Sequence, residues 1–185
     1  MKQDYFRGLL TKTLSESNVT LTTIPYDEGC SCGGGAAMAP SVIRELSSYL
    51  PPLSMDGDLL TKIKLFDFGD LEKCENYFTY LKEEAYKRLN LNKFPIFIGG
   101  DHSVSIPLEA AFYDWCVENN KIPAIIHLDA HPDICDFYVL KNDSFSGVTA
   151  KDFDAVTISN CNSVKIFGDN NIKSAIAYGN VQMVY

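Results

Sequence analysis

Short segments rich in β-branched and aromatic residues recur along the chain and predict β-strands. They lie at 19–24, 62–67, 95–98, 124–128, 154–159, 163–167 and 181–185. Between several of them, apolar residues recur at helical spacing, in segments 41–50, 73–90 and 105–118. In the last segment one helix face would carry Ile106, Ala110, Tyr113 and Val117. This alternation predicts an α/β fold in which helices cover a parallel sheet.

Length and composition narrow the class of protein. With 185 residues, 46% of them apolar and 22% charged, the chain is long enough to bury one core, and we expect a single domain over residues 1–185. No run approaches the roughly eighteen apolar residues of a membrane helix, and no secretory signal is recognisable, so the cytoplasm is the expected location. The net charge of -8 is the wrong sign for binding phosphates. We expect neither a membrane nor nucleic acid as a partner.

Cysteines are the next feature that could define the class, and they lie at 30, 32, 74, 116, 135 and 161. A secreted disulfide framework would need a signal segment and a loop-rich composition, so we interpret them as reduced thiols. Cys30 and Cys32 resemble half of a soft-metal site, but no second pair accompanies them, which favours ordinary loop thiols.

Polar side chains directly follow two of the predicted strands. Segment 99–103 (GGDHS) follows strand 95–98, and segment 129–133 (DAHPD) follows strand 124–128. Catalytic groups of α/β sheets lie at the carboxyl ends of strands. In extended chain, alternate residues point the same way, which would align Asp129, His131 and Asp133. With His102 they form a set of oxygen and nitrogen donors that suits a divalent ion such as manganese.

Two ions held by such donors would lower the pKa of a bridging water molecule and hold the resulting hydroxide against a poor electrophile. The alternative interpretation is structural. Aspartates after a strand often cap the following helix, and a histidine is often a hydrogen-bonded core residue. Four donors on two successive strand ends favour the metal. His127, within the strand, is interpreted as a packing or hydrogen-bonding residue.

These motifs resemble the ureohydrolase family of arginases, agmatinases and formimidoylglutamases, whose leading motifs are GGDHS and DAHxD. Three upstream segments also match that family: 25–29 (PYDEG), 39–44 (APSVIR) and 66–70 (FDFGD). The resemblance is strong to about residue 140 and weak afterwards. It implies a three-layer, arginase-like parallel sheet flanked by helices. Because family members commonly assemble as trimers or hexamers, it also implies a homo-oligomer of that kind.

The resemblance also implies a binuclear manganese site. His102, Asp129 and Asp133 would bind one ion, and Asp129, as a bridge, and His131 the other. A metal-bound hydroxide would attack the carbon of a linear amidine or guanidine, hydrolysing a C–N bond of arginine, agmatine or formiminoglutamate, with Asp129 and Asp133 at the catalytic centre. Asp101 would accept a hydrogen bond that orients a ligand imidazole. The spelling of segments 26–29 and 129–134 favours the agmatinase branch.

The chain departs from the family pattern in its second half. The later S-x-D-x-D-x-x-D-P strand, with two further metal ligands, is absent from the 185 residues, as is the glutamate that holds the guanidinium. Ser144-Phe145 stands where the family has a Ser-His pair. We therefore expect a C-terminally incomplete fold. Two interpretations stay open: a ureohydrolase, or a non-catalytic family remnant acting as a metal-binding or subunit-interaction module.

A nucleotide-binding domain is a third interpretation, suggested by the glycine run 33–35 after the first predicted strand. The run lacks the G-x-G-x-x-G spacing and has no following lysine with serine or threonine. The sequence argues against it.

Overall fold

The computed structural model describes residues 4–30 and 33–128, together with the backbone of four later strands between residues 154 and 184. The chain divides into two compact units, with the division between Trp115 and Cys116. The single domain expected over residues 1–185 stays a prediction, and the two units are described separately.

The first unit is built on a three-stranded parallel sheet. Its strands are β1 (Val19–Ile24), β2 (Leu65–Asp70) and β3 (Phe94–Gly99), in the order β2-β1-β3. In register, Val19 lies opposite Leu65 on one side and Phe94 on the other. All six residues of β1 are buried, so the central strand is covered on both faces, as expected for a parallel sheet.

Side chains on the two faces of β1 pack against different parts of the chain. On one face, Val19 and Leu21 form a cluster with Leu65, flanked by residues of the N-terminal segment such as Phe6 and Leu9. On the other face, the cluster contains Ile24, Leu71, Tyr77, Leu81 and Val104. Because alternate strand residues point to opposite faces, one six-residue strand serves both clusters.

The helices of this unit are α1 (Ala39–Ser47), α2 (Tyr77–Leu89) and all but the last three residues of α3 (Ser105–Glu118), with short 3-10 turns at Leu14–Glu16, Ala36–Met38 and His102–Val104. The first turn of α1 contains Pro40, whose fixed φ suits that position. Helix α2 buries Tyr77, Phe78, Leu81 and Ala85, which recur every three to four residues. Helix α3 has the predicted bounds. Of the four residues predicted to share a face, Ile106 and Ala110 are buried, whereas Val117 near the helix end is 55% exposed.

The second unit contains β4 (Ala124–Leu128), β5 (Asp154–Ser159), β6 (Ser163–Gly168), β7 (Ile172–Tyr178) and β8 (Gln182–Val184). Strands β4 and β5 are parallel, β8 pairs antiparallel with β5, and β6 pairs antiparallel with β7. The predicted fold class, a parallel sheet flanked by helices, is confirmed. The antiparallel pairs and β7 were not predicted, and β2 lies three residues later than predicted.

No helix in the described part of the chain combines the length and the apolar composition needed to cross a membrane.

Candidate functional site

The carboxyl ends of β1 and β3 are neighbours, because Ile24 and Gly99 are partners in the parallel register. Two connections leave the sheet there. We call residues 25–30 the β1 loop and residues 100–104 the His102 turn. The sequence patterns of both, PYDEG and GGDHS, were matched to family motifs, and the structure brings them into contact.

Gly100 allows the backbone of the His102 turn to touch the β1 loop. A Cβ atom at Gly100 would overlap the carbonyl oxygen of Tyr26 and lie 2.8 Å from its carbonyl carbon. The backbone N–H of Asp101 donates to the same Tyr26 oxygen at 2.8 Å. Glycine is required here by close approach, since any side chain would push the two segments apart.

Asp101 binds both the turn and the loop through its buried carboxylate. Oδ2 accepts from the backbone N–H of Gly29 at 2.7 Å, and Oδ1 accepts from the backbone N–H and the hydroxyl of Ser103, the former at 2.9 Å. Asp101 thereby caps the 3-10 turn His102–Val104. Its expected role of orienting a ligand imidazole stays a prediction.

His102 begins that 3-10 turn and is exposed at the edge of the sheet. Its Nδ1 lies 3.3 Å from the hydroxyl oxygen of Ser105, a contact that bears on which ring nitrogen carries a proton. An exposed imidazole on a held turn is an accessible nitrogen donor, which fits a divalent ion such as manganese.

The other predicted ligands, Asp129, His131 and Asp133, lie outside the described residues. Strand β4 ends at Leu128, so this motif begins directly after a strand, as predicted. His127 lies inside β4, opposite Thr157 of β5. Among the described residues, no group of three or more histidines, cysteines, aspartates or glutamates is arranged to hold a metal.

The β1 loop has further supports besides Asp101. Asp27 Oδ2 accepts from the backbone N–H groups of Gly35 at 2.7 Å and Ala37 at 3.5 Å. The Tyr26 ring packs on Tyr77 and Phe78 of α2, with centroids 5.5 and 5.3 Å apart. The loop is therefore held from the sheet edge, from the segment before α1 and from α2.

Free thiols were predicted, and the described cysteines at 30, 74 and 116 are free. Cys30 ends the β1 loop. Burial, and then the negative charges of Asp101 and Asp27, raise the pKa of its thiol. A raised pKa keeps the thiol protonated and weakly nucleophilic.

A second polar cluster, which sequence reasoning missed, lies at the carboxyl end of β2. Arg44 of α1 binds both carboxylate oxygens of Asp67, at 2.8 and 2.9 Å, and Oδ1 of Asp70 at 2.6 Å. It also donates to the Thr23 hydroxyl of β1 at 2.8 Å. We call these four residues the arginine network. The matched segments 39–44 and 66–70 contain its charged members, but their spacing gave no indication of the contact.

In the arginine network, the positive and negative side chains each favour the charged form of the other. Its central side chains are mostly covered, with Arg44 12% and Asp67 18% exposed. Burial opposes ionisation of Asp70, but hydrogen bonds from Thr23 and Arg44 outweigh it and hold the Asp70 pKa below its usual value. The hydrogen bond to Asp67 raises the pKa of Arg44, which stays charged. The network joins α1 to the carboxyl ends of two strands.

Comparison with known proteins places these features in a family context. The sequence model of the Arginase family matches residues 17–172. The agmatinase of Bacillus cereus is 33% identical over 136 residues, which cover 68% of this chain and 44% of that protein. The chain thus spans less than half the length of this curated relative.

Solved structures share the fold. The agmatine ureohydrolase of Thermoplasma volcanium superposes with a TM-score of 0.60 at 24% identity, covering 77% of this chain and 47% of that chain. The formiminoglutamase of Trypanosoma cruzi with Mn²⁺ gives a TM-score of 0.59 at 24% identity, covering 71% and 46%. At such identities, the likeness shows the arginase-like fold.

Proposed function

The chain belongs to the arginase family, and from that premise we propose that it acts in the manganese-dependent hydrolysis of linear amidines or guanidines. The observation that carries the proposal is the His102 turn. An exposed imidazole stands at the carboxyl end of β3 on a turn held by Gly100 and Asp101. A ligand fixed in this way suits a metal site, because the turn does not have to be ordered when the ion binds.

The residues that would hold two manganese ions are His102, Asp129, His131 and Asp133. Their imidazole and carboxylate groups are donors that manganese accepts. When bound, the ions would lower the pKa of a water molecule so that it can attack an electrophilic carbon near neutral pH. The His102 turn would present the imidazole of His102 to the metal, and its contact with the β1 loop would hold the turn in place. Asp129 and Asp133 remain the proposed catalytic carboxylates.

Agmatine is the substrate we propose to test first. It carries a guanidinium group and an amine, so it is cationic, and the net charge of -8 favours the approach of a cation over that of an anion. The curated relative from Bacillus cereus is an agmatinase. Homo-trimeric or hexameric assembly and a cytoplasmic location stay predictions.

The test is urea release from agmatine and from arginine by the manganese-loaded chain, with metal content measured in parallel. His102→Ala and Asp129→Ala remove proposed ligands. Asp114→Asn is the control, because Asp114 of α3 forms a surface ion pair with Lys82 of α2 at 2.7 Å, and this pair includes no residue of the His102 turn. We expect agmatine turnover that survives Asp114→Asn and is lost in both ligand variants.

Two other outcomes have defined meanings. Manganese bound by the unsubstituted chain without turnover of either substrate would favour the metal-binding or subunit-interaction module over the enzyme. If the unsubstituted chain shows no metal binding and no turnover, the proposed function is overturned.

A further inference from the structure

Three hydrogen-bond donors converge on the buried carboxylate of Asp101. Two belong to Ser103 in the same turn, and the third is the backbone N–H of Gly29, 72 residues earlier in the chain. Hydrogen bonds to an ionised acceptor are stronger than those between neutral groups. The bond from Gly29 therefore does more than cap a local turn, because it joins two segments that are distant in sequence.

Gly29 lies so close to the His102 turn that no side chain would fit between them. A Cβ atom at Gly29 would lie 2.7 Å from Ser103 Oγ and 3.0 Å from Asp101 Oδ2. The backbone N–H of Asp101 donates in the other direction, to the carbonyl oxygen of Tyr26. Asp101 thus holds the β1 loop at two points, Tyr26 and Gly29, through its main chain and its side chain.

His102 follows Asp101 directly and begins the 3-10 turn that the Asp101 carboxylate caps. Its backbone is therefore fixed by β3 on one side and by the β1 loop on the other. Displacing a ligand by even about 1 Å weakens a site that needs defined geometry.

We propose that Asp101 is a positioning residue, whose carboxylate couples the β1 loop to the His102 turn and so sets the metal affinity of His102. This role rests on the proposed function. It adds a structural link from the β1 loop to the ligand His102, made by the hydrogen bond from the Gly29 backbone to Asp101. It assigns the PYDEG loop a share in the metal site, although that loop provides none of the proposed ligands.

The chain offers matched variants to test this. Asp101→Asn keeps the size of the side chain but has one acceptor oxygen and an NH2 group, so it cannot accept from Gly29 and Ser103 together. Asp114→Asn makes the same chemical change on the surface pair with Lys82. Ser103→Ala removes only the hydroxyl donor and leaves the bond from Gly29 in place.

Two readouts separate positioning from general stability. Hydrogen–deuterium exchange over residues 25–30 reports the loop, with β1 and α2 as internal references for global folding. Manganese affinity, measured by the electron paramagnetic resonance signal of free Mn²⁺, reports the site without requiring turnover. In Asp101→Asn we expect exchange in the loop to rise about tenfold and manganese affinity to fall about tenfold or more. Asp114→Asn should leave both near the unsubstituted values, and Ser103→Ala, which loses only the local hydroxyl donor, should raise exchange and lower affinity less than Asp101→Asn does.

Contrary results separate the inference from the proposed function. Unchanged loop exchange in Asp101→Asn would overturn the coupling. Faster exchange with unchanged manganese affinity would overturn the positioning role and leave the metal site standing. If the unsubstituted chain bound no manganese, the proposed function would fail, and the positioning role with it.

Discussion

Two polar contacts at the carboxyl edge of the same sheet are built in opposite ways. At the His102 turn, Gly100 lies against the backbone of Tyr26 and Gly29 lies against the side chains of Ser103 and Asp101, so a Cβ atom added at either glycine would collide. At the end of β2, the arginine network joins α1 to the strand with charged side chains. The first contact depends on the absence of a Cβ atom at these two glycines, so the two positions tolerate almost no change. The second depends on charge, so its strength should vary with substitution and pH.

The largest expected effect is at the glycine contact. In Gly100→Ala the new methyl group overlaps the Tyr26 carbonyl, so the β1 loop or the His102 turn must move. We expect a loss of about 3 kcal/mol or more in the free energy of unfolding, at the upper end for overpacking. Urea denaturation followed by circular dichroism measures this loss.

Gly57→Ala is the control for the glycine contact. Gly57 has a φ of 86°, and a Cβ atom there would meet nothing within 4 Å, so the substitution adds backbone strain alone. About 1 to 2 kcal/mol is expected. Equal losses in the two variants would show that the approach of Gly100 to Tyr26 is not a tight contact.

The next largest effect is expected in the arginine network. Arg44→Met leaves the Asp67 and Asp70 carboxylates without their counter-ion. We expect a loss of about 2 to 3 kcal/mol, below the range for fully buried pairs because Asp70 is 48% exposed to water. Arg44→Lys keeps the charge without the two-pronged bond to Asp67 and should lose about half as much. An Arg44→Met variant as stable as the unsubstituted chain would show that the arginine network does not stabilise the fold.

Acid should weaken the network in a defined direction. The Asp70 pKa is lowered in the folded chain, so its stabilisation is present above the ordinary aspartate pKa of about 4 and is lost as pH falls through the folded value. The stability difference between the unsubstituted chain and Arg44→Met should stay constant from about pH 8 to pH 5 and shrink below about pH 4. A stability difference that grows as the pH falls would contradict the lowered pKa of Asp70.

The smallest effect is expected where an ion pair joins the β1 loop to solvent-exposed chain. Lys73 and Glu28 form a pair whose side chains are both more than half exposed, and such pairs contribute little. Lys73→Ala should leave the urea midpoint unchanged. A clear shift would show that the supports of the β1 loop are less independent than the contacts suggest.

The sequence predicted the parts of the fold that depend on local apolar pattern. Strands β1 and β4 and helix α3 have the predicted bounds because the two strands are rich in β-branched residues and the helix carries apolar residues along its length. Strand β2 was placed too early, since its last residues, 68–70, end in Gly69 and Asp70, and the charge of Asp70 is balanced by Arg44 from another segment. Strand β7 (Ile172–Tyr178) was missed because its alanine and serine residues are weak strand formers.

The candidate site shows the same division. The position of His102 at the end of a strand could be predicted from the GGDHS pattern, because glycines and a polar turn after an apolar run indicate a strand end. The bond between Asp101 and Gly29 could not, since a contact across 72 residues leaves no trace in spacing. The roles of Asp129, His131 and Asp133 stay predictions.

The proposed function requires the held His102 turn to form part of a manganese site. The most direct measurement is a manganese titration of the unsubstituted chain beside His102→Ala, with Asp114→Asn as the folded, charge-changed control. We expect saturable binding by the unsubstituted chain and Asp114→Asn, and an affinity at least about tenfold lower in His102→Ala. Equal binding by all three chains would contradict it.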